Sequence, residues 1–173
     1  MEYTIQEQVL PERKAQLARE ILEALPEWFG IPESTAAYVE GCKALPFAAL
    51  YHGEDAVGFC ALKQTASQAG ELYVLGILPN LHRKGGGRML MAWAEGYARK
   101  AGWKLLQVKT LDALARSAEY DRTREFYHAM GFLDLECFPT LWDEKNPCLV
   151  LVKPLLRQSV FIITELRNLL KSS

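Results

Sequence analysis

The sequence offers little of the cysteine and histidine chemistry that metal sites need. It contains four cysteines, Cys42, Cys60, Cys137 and Cys148, and three histidines in 173 residues. No two cysteines form a CxxC pair, and no histidine pair lies beside them at the spacing of zinc ligands. The sequence therefore predicts no metal site, and the cysteines fit small core or near-surface residues of a reducing compartment.

The sequence also lacks an excess of either charge and any long apolar run. Twenty basic residues face 21 acidic ones, for a net charge of -1, so nothing indicates nucleic acid or an anionic membrane as a partner. The first ten residues lack the apolar stretch of a signal peptide. The longest apolar run near the C-terminus, residues 160–163, is too short to cross a bilayer. The simplest expectation is a cytoplasmic protein.

The remaining patterns predict one α/β domain over residues 1–153 and a tail over 154–173. Periodic apolar residues predict alternating helices and strands, and this order predicts a mixed sheet with helices on both faces. In the tail, Ser159 is expected to begin a short docking helix. The predicted strands are 3–9, 47–51, 56–63, 71–78, 104–110, 132–138 and 148–153. The predicted helices are 11–26, 33–44, one that contains Met89 to Tyr97 and ends at Gly102, and 118–130.

Two predicted loops contain aromatic residues with two open interpretations. Trp28 and Phe29 lie between the first two helices, and Trp142 lies with Asp143 between the last two strands. Packing against the core is the simpler interpretation for Trp28 and Phe29, and contact with a second substrate is the alternative. For Trp142 and Asp143, ordinary packing and turn formation stand beside contact with an amine.

The most informative segment is 72–88, which passes from a strand through a glycine cluster into a helix. Glycines 85–87 place backbone N–H groups at the helix N-terminus, where the lack of Cβ atoms lets a ligand approach. Unpaired amides and the helix dipole both favour an anion there. Arg83, Lys84 and Arg88 add positive charge. This combination predicts a diphosphate site.

The glycine cluster fits neither a plain flexible loop nor the common nucleotide-binding loops. A flexible loop before a helix would need no basic residues among the glycines. The segment has no Gly-Lys-Ser or Gly-Lys-Thr, so it is not a Walker loop, and its spacing differs from the Rossmann GxGxxG pattern.

The segment resembles motif A of the GNAT superfamily of N-acetyltransferases, Q/R-x-x-G-x-G/A after a strand and a proline. The pattern falls on His82, Gly85 and Gly87, with histidine in place of glutamine or arginine. A second stretch, 126–132, reads FYHAMGF and resembles the FYxxxGF core of motif B. Where the family often has Asn and Ala before that tyrosine, this chain has Tyr120 and Thr123. The resemblance covers roughly residues 70–153.

This resemblance implies the GNAT fold, with a central twisted mixed sheet of about six to seven strands flanked by helices. It implies acetyl-CoA as acyl donor, no metal, and transfer by direct attack of an amine in a ternary complex. The pantetheine amides are expected to pair with a strand edge, and the pyrophosphate with the loop that follows. The residues expected to bind the donor are Leu75, Ile77, Leu78, His82, Arg83, Lys84, Gly85, Gly86, Gly87 and Arg88.

Two residues are candidates for catalysis. Tyr127 of motif B matches the tyrosine that relatives are proposed to use as a general acid toward the thiolate. Glu71 lies eleven residues before His82, where some family members carry a glutamate that acts as general base. Packing for Tyr127 and solvent exposure for Glu71 are the simpler alternatives. A backbone N–H near Ile77 is a candidate to polarise the thioester.

Several alternatives for the function stay open from the sequence. A longer acyl-CoA would fit the same phosphate site, and a sensor that binds acetyl-CoA without turnover would show the same motif A. A glyoxalase-like protein shares FYxxxGF but needs paired repeats and metal ligands that the sequence lacks. The acceptor is a small-molecule or peptide amine with no further definition. The sequence leaves a homodimer open.

Overall fold

The computed structural model describes residues 2–155 as a seven-stranded sheet with four α-helices. The tail predicted at 154–173 lies outside the described residues from position 156 onward. The helices are α1 (Pro11–Glu23), α2 (Pro32–Cys42), α3 (Gly86–Lys100) and α4 (Ala118–Ala129). The strands are β1 (Tyr3–Glu7), β2 (Phe47–His52), β3 (Asp55–Ala66), β4 (Ala69–Ile77), β5 (Leu105–Leu111), β6 (Leu133–Asp143) and β7 (Asn146–Pro154).

The sheet has the order β1-β2-β3-β4-β5-β7-β6, and only β4 and β5 run parallel among the strand pairs of residues 2–155. A parallel pair needs a crossover connection, and α3 supplies it. The predicted α/β class and the mixed sheet with helices on both faces are therefore confirmed. No helix in the described part of the chain is long and apolar enough to cross a membrane.

Each face of the sheet carries its own apolar core. The helical spacing of Leu17 and Ile21 turns one side of α1 onto a core that also contains Phe47 and Phe59, whose rings stack at 4.9 Å. On the other face, a second core contains Leu90 of α3 and Tyr127 of α4. Burial on both faces holds the sheet rigidly between its helices.

The two central strands separate partway along their length. Pairing between β4 and β5 runs from Ala69↔Leu105 to Glu71↔Gln107 and then stops, although both strands continue. In β4, the register with β3 shifts between Val74 and Leu72, so Tyr73 is an extra residue. Such a bulge bends a strand and increases its twist, which accounts for the separation from β5. The result is a gap in the middle of the sheet.

The last two strands are longer than the sequence predicts. Instead of a loop over 140–147, β6 extends to Asp143 and β7 begins at Asn146. The Asp143 side chain closes the turn, because its Oδ1 accepts hydrogen bonds from the backbone N–H of Lys145 at 2.8 Å and of Asn146 at 3.0 Å. The turn chemistry of Asp143 therefore replaces the predicted loop with a hairpin.

Candidate active site

A cavity of about 930 Å³ occupies the gap between β4 and β5. It extends from the N-terminus of α3, past the bulged part of β4, to the loop between α1 and α2. Its wall includes Trp28, Phe29, Tyr38, Tyr73, Leu75, Ile77, His82, Arg83, Gly85, Gly87, Arg88, Lys109, Thr110, Tyr120, Thr123, Tyr127 and Trp142. The volume suits a ligand larger than a single amine.

The N-terminus of α3 has unpaired backbone amides, and two of the residues that carry them, Gly85 and Gly87, line this cavity. Gly85 is the N-cap with φ 92°, and no side chain caps the helix. Arg83 also has positive φ, at 61°, an uncommon conformation for a residue with a side chain. The amides of residues 84–87 donate to no acceptor within residues 2–155. Successive free N–H groups in such a loop, with the helix dipole behind them, form an anion-binding concavity.

Each of the three glycines at the start of α3 is needed for a different structural reason. A Cβ on Gly86 would lie 2.5 Å from Leu50 Cδ2, and one on Gly87 would lie 2.9 Å from Phe126 Cε2. These two glycines let α3 pack closely against the sheet and against α4. A Cβ on Gly85 would meet nothing within 4 Å, so its requirement is the positive φ. Gly85 is therefore the glycine whose environment is open to a ligand.

Most of the residues predicted to bind the donor line the cavity. Leu78, Lys84 and Gly86 do not. The imidazole of His82 turns away from the amides: its Nε2 lies 2.7 Å from the Ile77 carbonyl oxygen, and its ring packs edge-on against Trp28 at 5.5 Å. This bond fixes the loop to the end of β4.

Tyr127 lies on the wall where α4 faces β5. Ser117 caps α4, with its Oγ accepting from Tyr120 N at 3.4 Å, and Arg124 donates to the Leu111 carbonyl at the end of β5. Tyr127 is buried, with its ring against Phe132 at 5.7 Å. Burial is the largest cause that raises the pKa of its phenol above the ordinary value. The phenol is therefore protonated at neutral pH, as a general acid must be.

Glu71 is the last residue of β4 that pairs with β5, and it does not line the cavity. Its Oε2 accepts hydrogen bonds from Lys109 Nζ at 2.9 Å and from Gln107 Nε2 at 3.2 Å. The Glu71 side chain is 9% exposed and that of Lys109 is 31% exposed. Lys109 lines the cavity wall and Glu71 does not. The Glu71 carboxylate is therefore linked to the cavity only through its hydrogen bond with Lys109.

Trp28 contacts both α4 and the loop before α3, and the sequence patterns did not reveal these contacts. Its Nε1–H donates to Thr123 Oγ1 at 3.0 Å, and its carbonyl accepts from Tyr120 O–H at 2.8 Å. Thr123 and Tyr120 are the two positions that depart from motif B. This departure was the only feature of the sequence that could have indicated their contacts with Trp28. Packing and cavity lining are thus both true of Trp28, because the anchored ring also forms part of the wall.

For the donor and acceptor expected from the sequence, Thr123→Val should raise the acceptor KM about fivefold and leave acetyl-CoA affinity unchanged, because it removes one neutral hydrogen bond that holds the Trp28 loop. Steady-state kinetics with donor titration by calorimetry measure both quantities. Thr123→Ser keeps the hydroxyl and is the matched control. An acceptor KM that stays at the wild-type value in the valine variant would remove the positioning role of this bond.

Aromatic residues cover the end of the cavity beside the loop between α1 and α2. Phe29, Tyr38 and Tyr73 form a chain of edge-to-face contacts, with ring centroids 5.8 Å and 5.2 Å apart. Burial is the main cause that raises the pKa of Tyr38 to about 12, so its phenol is neutral at physiological pH. Trp142 of the β6–β7 hairpin lines the same cavity. Trp28, Phe29 and Trp142 thus all line one cavity.

Comparison with known families and structures agrees with this arrangement. A family model described as the acetyltransferase (GNAT) family matches residues 14–132. No curated protein matches the chain significantly in sequence. The chain belongs to the GNAT family of acetyltransferases and is an enzyme of that class.

Three solved structures show how widely the fold is shared. A protein classed in the GNAT family from Desulfovibrio desulfuricans has 20% identity and a TM-score of 0.74, over 90% of this chain and 100% of its own. The aminoglycoside 6'-N-acetyltransferase from Enterococcus faecium has 20% identity and a TM-score of 0.67, over 91% and 99%. A Salmonella typhimurium protein solved with its cofactor acetyl-CoA has 15% identity and a TM-score of 0.64, over 91% and 96%. At these identities the likeness shows the fold alone.

Proposed function

We propose that this protein transfers the acetyl group of acetyl-CoA to a primary amine of a small molecule or peptide, by direct attack within a ternary complex. One observation carries the proposal: unpaired amides at the N-terminus of α3 open into the same cavity that Tyr127 borders. A site for a doubly charged linkage and a proton donor therefore share one space. Both are needed for transfer from a phosphate-bearing thioester.

The donor end of the cavity supports binding of acetyl-CoA. The amides of residues 84–87 would pair with the diphosphate, with Arg83 and Arg88 beside them on the cavity wall. The unpaired part of β4, around Leu75 and Ile77, borders the gap along which the pantetheine arm would extend. This arrangement uses the bend in β4 and requires no movement of the sheet.

The chemical step moves one acyl group from sulfur to nitrogen. The acceptor ammonium loses one proton to a base, and the neutral nitrogen then forms a bond to the thioester carbon while the carbon–sulfur bond breaks and the nitrogen gives its second excess proton to solvent. Tyr127 would donate its phenolic proton to the leaving sulfur and regain one from solvent. Burial raises the pKa of the Tyr127 phenol, so the phenol still holds its proton when the carbon–sulfur bond begins to break.

Glu71 is the proposed base, with Lys109 as its fixed partner. Lys109 and Gln107 both donate to Oε2, while Oε1 accepts no hydrogen bond from a described residue. A proton from the acceptor would reach Oε1 through a water molecule in the gap, because Glu71 does not itself line the cavity. Lys109 holds the carboxylate in position and does not itself take the proton.

We expect Glu71→Gln to lower kcat about tenfold at neutral pH, which is less than the roughly 100-fold or more usual for a general base, because water can carry the proton instead. The loss should be largest at low pH and shrink as pH rises, since solution then supplies the free amine. The pH–rate profile measures this. Gln107→Ala, which removes the other donor to Oε2, should keep the wild-type shape. A Glu71→Gln profile parallel to wild type at every pH would remove the proposed base.

The acceptor end supports an amine carried on an apolar or aromatic body. Tyr38, Tyr73 and Trp142 line this part of the cavity, and aromatic rings attract an ammonium and pack against apolar groups. Screening amines for release of free CoA, with acetyl-CoA as donor, tests the proposal directly. Turnover with at least one primary amine supports it. Tight binding of acetyl-CoA without turnover across the panel favours a sensor, and turnover only with a longer acyl-CoA identifies a different donor.

A further inference from the structure

Thr110 carries a buried hydroxyl without a partner at the wall of the cavity. The residue is 3% exposed, and its Oγ1 has no hydrogen-bond partner within residues 2–155. Leaving a buried hydroxyl unpaired costs roughly 1–3 kcal/mol, and native proteins seldom retain such a group without a reason. The fold therefore keeps a polar atom at a place where valine would pack as well.

The position of Thr110 places it in the gap and on the donor side of the sheet. Thr110 lies three residues beyond Gln107, the last β5 residue paired with β4. Successive strand residues alternate in direction, so Thr110 shares a face with Val108, which belongs to the core beneath α3. Lys109 points to the opposite face, toward Glu71. Thr110 therefore faces the donor and not the acceptor end.

Tyr127 is the nearest functional neighbour along α4. Arg124 ties α4 to the carbonyl of Leu111, the residue after Thr110. Tyr127 follows one turn later, about 4.5 Å along the helix axis, and both it and Thr110 line the cavity. No hydrogen bond joins the two hydroxyls in the described chain.

We propose that Thr110 is a donor-binding residue whose hydroxyl hydrogen-bonds the acyl-bearing end of the pantetheine arm, beside the Tyr127 phenol. A diphosphate at the N-terminus of α3 and a sulfur near Tyr127 define a path that passes this position. A threonine hydroxyl can donate to a carbonyl oxygen or accept from an amide N–H, so it suits the terminal amide or the thioester. The inference rests on the proposed function, since it takes acetyl-CoA as the ligand.

The test uses Thr110→Val on the full chain, with two measurements. We expect acetyl-CoA affinity by calorimetry to fall about tenfold, because the ligand group then lacks its partner. We expect the melting temperature of the free protein to be unchanged or higher, because the unpaired hydroxyl is gone. Thr110→Ser keeps the hydroxyl and should bind within about twofold of wild type, even if the lost methyl group lowers its stability.

Thr35→Val supplies the matched stability control. Thr35 is also buried, but its Oγ1 donates to the carbonyl oxygens of Phe29 at 3.0 Å and of Ile31 at 3.1 Å. Its replacement should lower the melting temperature, in contrast to that of Thr110. Together the two valine variants separate a hydroxyl kept for a ligand from one kept for the fold.

Three results would overturn the inference. Wild-type affinity in Thr110→Val would show that the hydroxyl makes no contact with the donor. A lower melting temperature with unchanged affinity would show that its partner, an ordered water included, belongs to the free protein. A raised acceptor KM with unchanged donor affinity would assign it to the acceptor. If the wild-type protein itself fails to bind acetyl-CoA, the proposed function fails, which the same titration distinguishes.

Discussion

Gly85→Val is expected to weaken acetyl-CoA binding by about 100-fold or more, measured by calorimetry. Gly85 has φ 92° at the N-cap of α3, a conformation that a β-branched residue adopts only with strain. The new side chain would also enter the open space in front of the amides. Loss of two charge-assisted hydrogen bonds, at roughly 1.5 kcal/mol each, accounts for a change of this size.

Gly102→Val is the matched control for that experiment. Gly102 follows the other end of α3, also has positive φ at 80°, and also has nothing within 4 Å of an added Cβ. Strain and loss of stability should therefore be similar in the two variants, while only Gly85→Val should lose the donor. Equal affinities in both variants would show that the α3 N-terminus does not bind the donor. Larger residues at Gly86 or Gly87 would be less informative, because they collide with Leu50 or Phe126.

Tyr127→Phe is expected to lower kcat about 100-fold and to leave the acetyl-CoA dissociation constant within about twofold. The ring and its contact with Phe132 remain, so only the proton donor is lost. Pre-steady-state measurement of CoA release, with calorimetry for the donor, separates the two quantities. A kcat within about twofold of wild type would return Tyr127 to a packing role.

The pH dependence gives a second test of the same residue. Burial raises the pKa of Tyr127, with the nearby Tyr120 and Tyr38 adding to the effect. Deprotonation of the acid should therefore not reduce activity below the ordinary tyrosine pKa of about 10. Tyr97→Phe is the control, because Tyr97 lies near the C-terminal end of α3, contacts Trp93 and Trp103, and does not line the cavity. Its rate should equal that of wild type.

The sequence alone predicted the order of the helices and strands. The signals for these elements are local in the chain: the apolar spacing in α1, the prolines and glycines around β4 and α3, and Ser117 at the start of α4. Such signals do not depend on contacts between distant segments, so they can be read from the sequence. The proposed diphosphate site could be predicted for the same reason, because its amides come from one continuous segment. The amides of residues 84–87 donate to no acceptor within residues 2–155, and their binding of an anion stays a prediction.

The rest depended on contacts between distant segments. The Tyr73 bulge opens the gap between β4 and β5, yet it is a property of pairing with β3 and leaves no periodic signal. The hydrogen bond between Trp28 and Thr123 joins residues 95 positions apart. Lys109 and Thr110 belong to an ordinary apolar strand pattern, and only the fold places one beside Glu71 and the other on the cavity wall.

The most direct test of donor binding is a crystal structure of the protein soaked with coenzyme A. We expect diphosphate density within hydrogen-bond distance of the backbone N–H groups of residues 84–87, and a sulfur near the Tyr127 hydroxyl. Density for the diphosphate at any other position, with the start of α3 empty at saturating ligand, would contradict the proposed donor site.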